Sequence, residues 1–573
     1  MNKIRQARGN IARALTITAA AAAVLLMGHA AHAQSSNAQG AYAQGAHAQG
    51  LLAQAATNNN SSTPNAAADL SSASSLVGVV QRAIATSPDV SARVNALLAA
   101  GDAIDASRAS FMPRADLEAV IGRTRDVITT RNPEGQSLSH TGLALTATQL
   151  LWDGGAVRAD VSRLGHERTA RWFEFVDAAE ATALEAARAF HDVLRFRRLV
   201  KLAEDNYVQH KVVARQMESR TQAGVGRGVD LEQAMARLAL AESNLATENS
   251  NLHDVSARFL RIVGEAPAAN LAAPYSLEAA TLPSSAIETV AMAVRSSAAV
   301  SAAIESMRAQ RQGLRARNAA FQPKVEARVR AGAGRNFDGV PDQKRDTSAQ
   351  LALSWNLYSG GADHARVKQQ ARLLDQSADQ RDSACRNVRQ TAAIAFNDTV
   401  KLGEQLGILE RNAMSIARAR DAYRQQFDIG QRNLLDVLNA ENELYTAGRA
   451  VANARIDLSL AQARTLASMQ QLNTHLGIAR PDAVTGLEPQ GWSADDDAPT
   501  RCSETVITVE APTPRAELDA RAATMVKTVP EVVPVMLSPL PAVQTGVQPS
   551  VEHPTDMHKK KAGKKKRRAA AGR

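Results

Sequence analysis

The chain contains two kinds of polar and apolar alternation, and the junction between them occurs twice. At 351–366, LALSWNLYSGGADHAR, apolar and polar residues first alternate with the period of two expected of a strand. A tight Ser359-Gly360-Gly361 step follows, and then a helical period that runs for roughly seventy residues. The stretch 143–158, LALTATQLLWDGGAVR, has the same order. In each half a strand feeds a very long helix.

Taken in order, helical periodicity runs from near Leu76 to about Ala109, with Val80, Ile84, Val94, Leu98 and Ile104 among its apolar positions. It stops at Phe111-Met112-Pro113, because proline disfavours a helical residue before it. Residues 117–122 and 143–151 read as an antiparallel strand pair around a polar loop, 125–139. A helix without proline is predicted over 156–222, roughly 100 Å of it at about 1.5 Å per residue. Gly224, Gly226 and Gly228 break it, and a second helix returns over 230–263, where Asp230 complements the exposed amides of a first turn.

After a linker containing Pro267, Pro274 and Pro283 the order repeats. A helix is predicted over 287–319, strands over 325–333 and 349–357 around the polar loop 336–347, a long helix to Asp428, and a return helix from Asp436 to near Leu476. Phe321-Gln322-Pro323 lies 210 residues after Phe111-Met112-Pro113, and Asp436 lies 206 residues after Asp230. Gly224 and Gly430 each precede the matching aspartate by six residues. So many paired landmarks indicate an internal duplication, with repeats at 76–284 and 285–480.

The ends differ from this body. Residues 1–33 carry Lys3, Arg5, Arg8 and Arg13, an apolar run from Ala19 to Met27 and the small-x-small step Ala31-His32-Ala33, as in a signal peptide. Residues 34–75 are low in complexity and read as a disordered leader. Residues 481–573 read as a disordered tail rich in proline and valine with a basic end, HKKKAGKKKRR. Removing the +4 and +8 of the two basic ends from the net charge of +10 leaves −2 for the body, so the charge does not indicate a nucleic-acid partner. The basic end is open to two readings, contact with anionic periplasmic material or a solubilising tail. Cys385 and Cys502 have no framework or metal-ligand spacing and are expected to be unpaired thiols.

No run of about eighteen apolar residues follows the leader, so an exported chain of this kind would meet a membrane through its strands. Val325, Ala327, Val329, Ala331 and Ala333 alternate with Lys324, Glu326, Arg328 and Arg330, as a wall with one lipid face and one water face requires. Each strand has about the ten residues needed to cross a bilayer at a tilt. Phe111, Trp152, Phe321, Trp355 and Tyr358 gather at the helix-proximal ends, where an interfacial aromatic belt belongs. Four strands cannot close a barrel and open edges are not tolerated in lipid, so the barrel must be shared with further copies. A soluble sheet packed on helices would leave the long prolineless helices unexplained.

The runs WNLYSGGADHARV and LLWDGGAVRADV and the turn FDIGQRNLLDVLNAENELYTA resemble the signatures of the TolC-like outer-membrane channel family, over about 76–477. The resemblance implies a mostly α fold with a membrane β-barrel portion. It implies a homotrimer whose protomers give four strands each to a twelve-stranded barrel, continuous with a long α-helical periplasmic barrel. An inner-membrane transporter and a periplasmic adaptor (membrane fusion) protein would dock on the tunnel tip.

The same resemblance marks Gly224 with Asp230, and Gly430 with Asp436, as the periplasmic turns. It makes Arg432 the residue that ties neighbouring helices shut, with Asp230 as partner, and Asp436 a member of a threefold carboxylate ring that favours cations. Phe427 stands where the family usually has tyrosine, and Asn439 takes the second ring position, which would weaken the gate link and cation affinity. Without the resemblance, either aspartate reads equally as a helix cap and Arg432 as a solvated turn residue. The glycines at 224–228 follow a helix rather than a strand, unlike a nucleotide loop. No HExxH, Ser-His-Asp arrangement or catalytic carboxylate pair is apparent, and the chain is expected to be no enzyme, with no cofactor or metal. The expected function is a passive exit duct in the outer membrane. Type I protein secretion is the favoured cargo route, drug or small-molecule efflux the alternative, and a non-conducting periplasmic helical scaffold the reading from another class.

Overall fold

The computed structural model describes residues 74–127, 129–130, 132–273, 282–337, 342–492, 502–503 and 513–527. The expected signal peptide, nearly all of the leader and the basic end lie outside them. Each repeat opens with two helices where the sequence predicts one. Helices α1 (Leu76–Thr86) and α2 (Pro88–Arg108) are separated at Ser87, which is extended at ψ 120° because Pro88 follows it. In the second repeat α5 (Ala286–Ser296) and α6 (Ala298–Asn318) part at Ser297, with ψ 117° and no proline. Both serines cap the helix that follows, Ser87 accepting from Val90 N–H and Ser297 from Val300 N–H. Ser87 and Ser297 are 210 residues apart, so the break belongs to the repeat.

The strands are longer than the sequence predicts: β1 (Arg114–Val127), β2 (Gly135–Trp152), β3 (Lys324–Arg335) and β4 (Gln343–Ser354). The stretches expected as polar loops are partly consumed by strand pairing, since a polar residue pairs as readily as an apolar one when its face is wet. Trp355 and Leu357, expected within the last strand, follow its end. The four strands form one antiparallel sheet in sequence order.

Register places Leu117, Leu145, Ala331 and Thr347 in one row, and Ala115, Ala147, Val329 and Ala349 in the next row on the same face. An irregularity between Leu150 and Trp152 brings Trp152 opposite Val325, on this apolar face. Asp116, Thr146, Arg330 and Ser348 form a row of the opposite, polar face. Phe337 is buried over Gly142, Gly332 and Gly334 on that polar face, where a Cβ on Gly142 would overlap its ring.

At the far end of each strand pair the chain turns through Gly154-Gly155 (φ 70° and 87°) and Gly360-Gly361 (φ 67° and 86°), two successive left-handed residues that only glycine adopts freely. Asp153 accepts from Gly155 and Val157 N–H at 3.0 and 2.8 Å, and so starts α3 (Ala156–Gln222). In the second repeat Ser359 accepts from Asp363 N–H at the start of α7 (Ala362–Asp428). The return helices are α4 (Gly228–Val263) and α8 (Leu434–Ser468). Each long helix packs along its own return helix, α3 also touches α8, and the short helices α2 and α6 lie along α3. Among the described residues no single helix is long and apolar enough to cross a membrane.

The two repeats are not equivalent in burial. Helix α3 carries much of the core, including Trp172, Phe175, Ala183, Ala187 and Phe190, whereas α7 buries only Ser377, Cys385, Ala392, Ala395 and Phe427. Leu373, Ile394, Val400, Ile408 and Met414 of α7 remain exposed in the single chain.

After α8 the chain packs back on the helices, and residues 481–492 of the expected tail are among those described. A short helix α9 (Leu472–His475) is held by Glu180, whose carboxylate accepts from Leu472 N–H at 2.6 Å. Arg168 donates to the carbonyl of Leu487, Trp492 packs on Phe173 at 4.5 Å between ring centroids and its indole N–H donates to Glu305 at 3.2 Å. Cys502 is bonded to Cys385, so the expectation of two unpaired thiols is wrong. Two residues 117 apart become neighbours because the segment returns along α3 and α6, a path that local pattern cannot show. By internal contacts the chain divides into two units, through Glu504 and from Thr505. Of the second, the helix α10 (Arg515–Lys527) is described.

Candidate functional site

The tip of each helical hairpin is built by the same backbone device. At the end of α3, Gly224 has φ 74° and Val225 N–H reaches back to the carbonyl of Arg220, while Gly224 N–H bonds Thr221. At the end of α7, Gly430 has φ 78°, Gln431 N–H bonds Gln426 and Gly430 N–H bonds Phe427. These paired bonds satisfy the last carbonyls of the helix and require the left-handed residue that each glycine supplies. A Cβ at Gly226 would fall 2.8 Å from the backbone nitrogen of Thr221, which accounts for the second glycine of the first turn.

The return helices begin earlier than the aspartates suggest. Asp230 and Asp436 both lie in first turns, but α4 starts at Gly228 and α8 is capped by Asn433, whose side chain accepts from Asp436 N–H at 2.9 Å. The spacing Asn433-x-x-Asp436 ahead of a helical pattern is a capping signature that the sequence reading passed over.

Arg432 does not meet Asp230 within the chain. Its guanidinium lies 3.4 Å from the Asp436 carboxylate, donates to Gln426 at 3.1 Å and stacks 4.4 Å from the centroid of Tyr423. The i,i+4 partner one helical turn away is simply nearer than a residue on the other hairpin. Both members of the pair remain part-exposed, so its contribution to stability is small. Asp230 makes no ion pair among the described residues.

Phe427 also departs from expectation. Its ring is buried with Val213, Ala214 and Met217 of α3, Ala234 and Leu238 of α4, and Leu434, Val437 and Leu438 of α8. Arg220 lies 5.1 Å over the ring. It joins the two hairpins at their tips, and the aromatic that contacts Arg432 is Tyr423, four residues earlier. Asn439 accepts from Arg237 of α4 at 3.2 Å, a second link between the hairpins. Above the tip, buried Glu441 receives Arg420 at 3.1 Å, and buried Glu248 of α4 receives Arg449 of α8 at 2.6 Å. Sequence reasoning identified none of these arginines, because their partners come from other helices. Val225, Val229 and Ile429 leave the turns exposed and apolar.

At the opposite end, Phe111, Trp152, Phe321, Trp355 and Tyr358 are all exposed, next to the strand-to-helix junctions. Trp355 donates its indole N–H to the carbonyl of Phe321 at 3.1 Å, and Phe321 packs on His364 of α7. The junction aromatics therefore tie the second strand pair to the helix that leaves it.

A family model described as Outer membrane efflux protein matches the chain twice, over 79–265 and 290–476. The outer membrane efflux protein BepC of Brucella suis is 24% identical over 321 residues, covering 56% of this chain and 70% of the relative. The outer membrane protein TolC of Escherichia coli is 22% identical over 467 residues, covering 76% of this chain and 90% of the relative. Among solved structures, the Campylobacter jejuni outer membrane channel CmeC superposes with a TM-score of 0.64 at 15% identity, covering 79% of this chain and 97% of that one. The outer-membrane channel OprN superposes at 0.62 with 20% identity, covering 69% and 90%. With strand pair, long helix and return helix present twice and each copy matched, the chain belongs to the outer membrane efflux protein family and is an outer-membrane protein of TolC-like fold.

Proposed function

We propose that this protein is the outer-membrane exit duct of a tripartite export system, conducting substrate passively from an inner-membrane transporter and periplasmic adaptor to the exterior. The observation that carries the reading is the four-stranded sheet, apolar on one face and polar on the other, with β1 and β4 as open edges. Lipid does not tolerate open edges, and three copies joined β1 to β4 give a twelve-stranded barrel with a polar lumen. The exposed apolar residues of α7 then become an interface between protomers, and the exposed Val225, Val229 and Ile429 offer the adaptor a docking tip. Nothing in this reading calls for an enzyme or a cofactor.

In the trimer the three Asp436 carboxylates ring the tip and favour cations, and Arg432 holds them through the pair within its own turn. Asp230 is offered to the neighbouring protomer. The cargo in this reading is a protein of a type I system. Loss of one secreted protein on deletion of the chain, with drug tolerance unchanged, fits that cargo; the reverse result moves the assignment to small-molecule efflux.

Reconstitution in planar bilayers tests the duct itself. A heat-sensitive, detergent-extracted trimer with conductance is expected, whereas a product soluble without detergent and without channel activity would return the reading to a non-conducting scaffold.

A further inference from the structure

The outer end of the sheet carries a feature that conduction does not use. On the apolar face, the positions beyond the apolar rows are Arg123, Arg125 and the last residue Val127 of β1, Arg335 of β3 and Arg345 of β4, together with glycine, serine and glutamine of β2 and β4. All four arginines are exposed, and among the described residues none makes an ion pair. The Arg123 side chain donates to Ser137 on the same face. Among the described residues no acidic residue occupies that part of the face; Glu134 and Asp342 lie outside the strands.

Register shows that these side chains share one height. Arg114, the first residue of β1, is in register through Thr148 with Arg328, so β1 starts four residues above Lys324, the first residue of β3. That is two residues of stagger per strand, the shear that a tilted, closed barrel needs. Arg125 and Arg335 are 210 residues apart, the offset of the repeat, and Arg125 opposes Ser137 while Arg335 opposes Thr141, the same four-residue step. Arg345 opposes Ala333, two residues below Arg335 and one strand further on, so the stagger brings it level as well. Arg123 lies two residues lower on β1.

Height is fixed by counting from the inner aromatics. Trp152 opposes Val325 on the neighbouring strand, and ten residues separate Val325 from Arg335. At about 3.3 Å per residue and a tilt of about 40° those ten residues rise about 25 Å, the height of the apolar band of an outer-membrane barrel. The arginines therefore stand where outer-leaflet headgroups begin.

We propose that Arg123, Arg125, Arg335 and Arg345 form a lipid-binding belt for the phosphate groups of phosphorylated glycolipid in the outer leaflet. Guanidinium is suited to this partner because it pairs with phosphate in bidentate fashion and keeps its charge at the edge of lipid. A phosphorylated headgroup resting between β1 and the neighbouring protomer's β4 would bridge the seam of the barrel. This inference rests on the trimeric barrel proposed above.

The test uses the purified full chain in nonionic detergent, with diphosphoryl lipid A, dephosphorylated lipid A and inorganic phosphate as probes. Diphosphoryl lipid A is expected to raise the trimer-to-monomer transition temperature; dephosphorylated lipid and inorganic phosphate are not. R335Q should weaken diphosphoryl lipid A binding about fivefold, from about 1 kcal/mol per basic residue near an anionic lipid surface. R123Q/R125Q/R335Q/R345Q should abolish the shift, and R335Q alone carries the test if that variant does not assemble. Binding within twofold of wild type in R335Q, an equal response to dephosphorylated lipid, or a shift reproduced by inorganic phosphate would overturn the belt. Bilayer conductance of the same preparations separates the two readings: no channel in the wild type removes the duct, whereas conductance with unchanged lipid binding removes only the belt.

Discussion

Cys385 on α7 and Cys502, 117 residues later in the chain, are joined by a disulfide with their Cα atoms 5.3 Å apart. The bond lies against Val300 and Ile304 of α6, and Trp492 is bound to Glu305 of the same helix. The described residues after α8 thus touch α3 through Glu180, α6 through Glu305 and α7 through Cys385, and α7 buries only five side chains along its whole length. Closing a loop of this length restricts the unfolded chain by up to about 5 kcal/mol. Reductant is expected to lower the heat-dissociation temperature of the wild type, and C385S or C502S should start low and show no further change. A wild-type transition insensitive to reductant would show that this segment is held by Trp492 and its neighbours alone.

At the tip, Arg432 combines an exposed ion pair with a stack on Tyr423. Exposed pairs contribute at most about 1 kcal/mol, so R432A should leave the melting temperature nearly unchanged. Its effect is expected in single-channel records, as a rise in open probability. Y423A should reproduce part of that rise, since it removes the stack and leaves the pair with Asp436. D436A should reduce cation preference and block by divalent cations; an unchanged reversal potential would remove Asp436 from the selectivity ring.

Glu180 is buried under α9, and desolvation raises its pKa from 4.5 to about 7 against the opposing effect of the Leu472 and Asn473 N–H bonds. A raised folded-state pKa favours the protonated form. The contribution of Glu180 is therefore complete below about pH 4.5 and lost as pH rises through about 7. The loss is about 3 kcal/mol at most. E180Q should remove this slope, so the difference in transition temperature between wild type and variant should change sharply between pH 4.5 and 7. Burial lowers the pKa of His210, which acts in the opposite sense on acidification, and taking the difference between the two proteins cancels it. A constant difference across the window would place the titration elsewhere.

Phe337, two residues past the end of β3, and Gly142 of β2 are a matched pair: the ring occupies the space that a Cβ on Gly142 would take. Truncating a buried phenylalanine costs about 3–5 kcal/mol, so F337A should loosen the outer end of the sheet. G142A should destabilise the protein by overpacking. The double variant G142A/F337A is expected to be no worse than F337A alone, a coupling readable in a double-mutant cycle. Additive losses would show that the ring and the glycine act independently.

The long elements were legible because they repeat a local pattern many times. The sequence predicted α3 over 156–222 and the structure places it at Ala156–Gln222; α7 ends at the Asp428 that the pattern marked. The tip glycines were visible for the same reason, since a left-handed residue at a helix end has a short chemical signature. Ser87 and Ser297 escaped notice because a helix broken by one residue keeps nearly the same periodicity on both sides. Asn433 was legible but overlooked, its signature masked by the more conspicuous aspartate three residues later.

By itself the sequence determined the duplication, the alternation of strand faces, the helix lengths and the family resemblance, all carried by neighbours along the chain. Only the tertiary structure decided which charges meet. Arg449 on Glu248, the Cys385–Cys502 bond, Phe427 in the inter-hairpin core and the level row of arginines on the sheet depend on how distant segments are juxtaposed, whereas Arg432 meets Asp436 only one helical turn away. The physical reason is range: periodicity and turn chemistry act over a few residues, whereas a salt bridge, a disulfide or a strand register is fixed by packing between elements that can lie more than 200 residues apart in the chain.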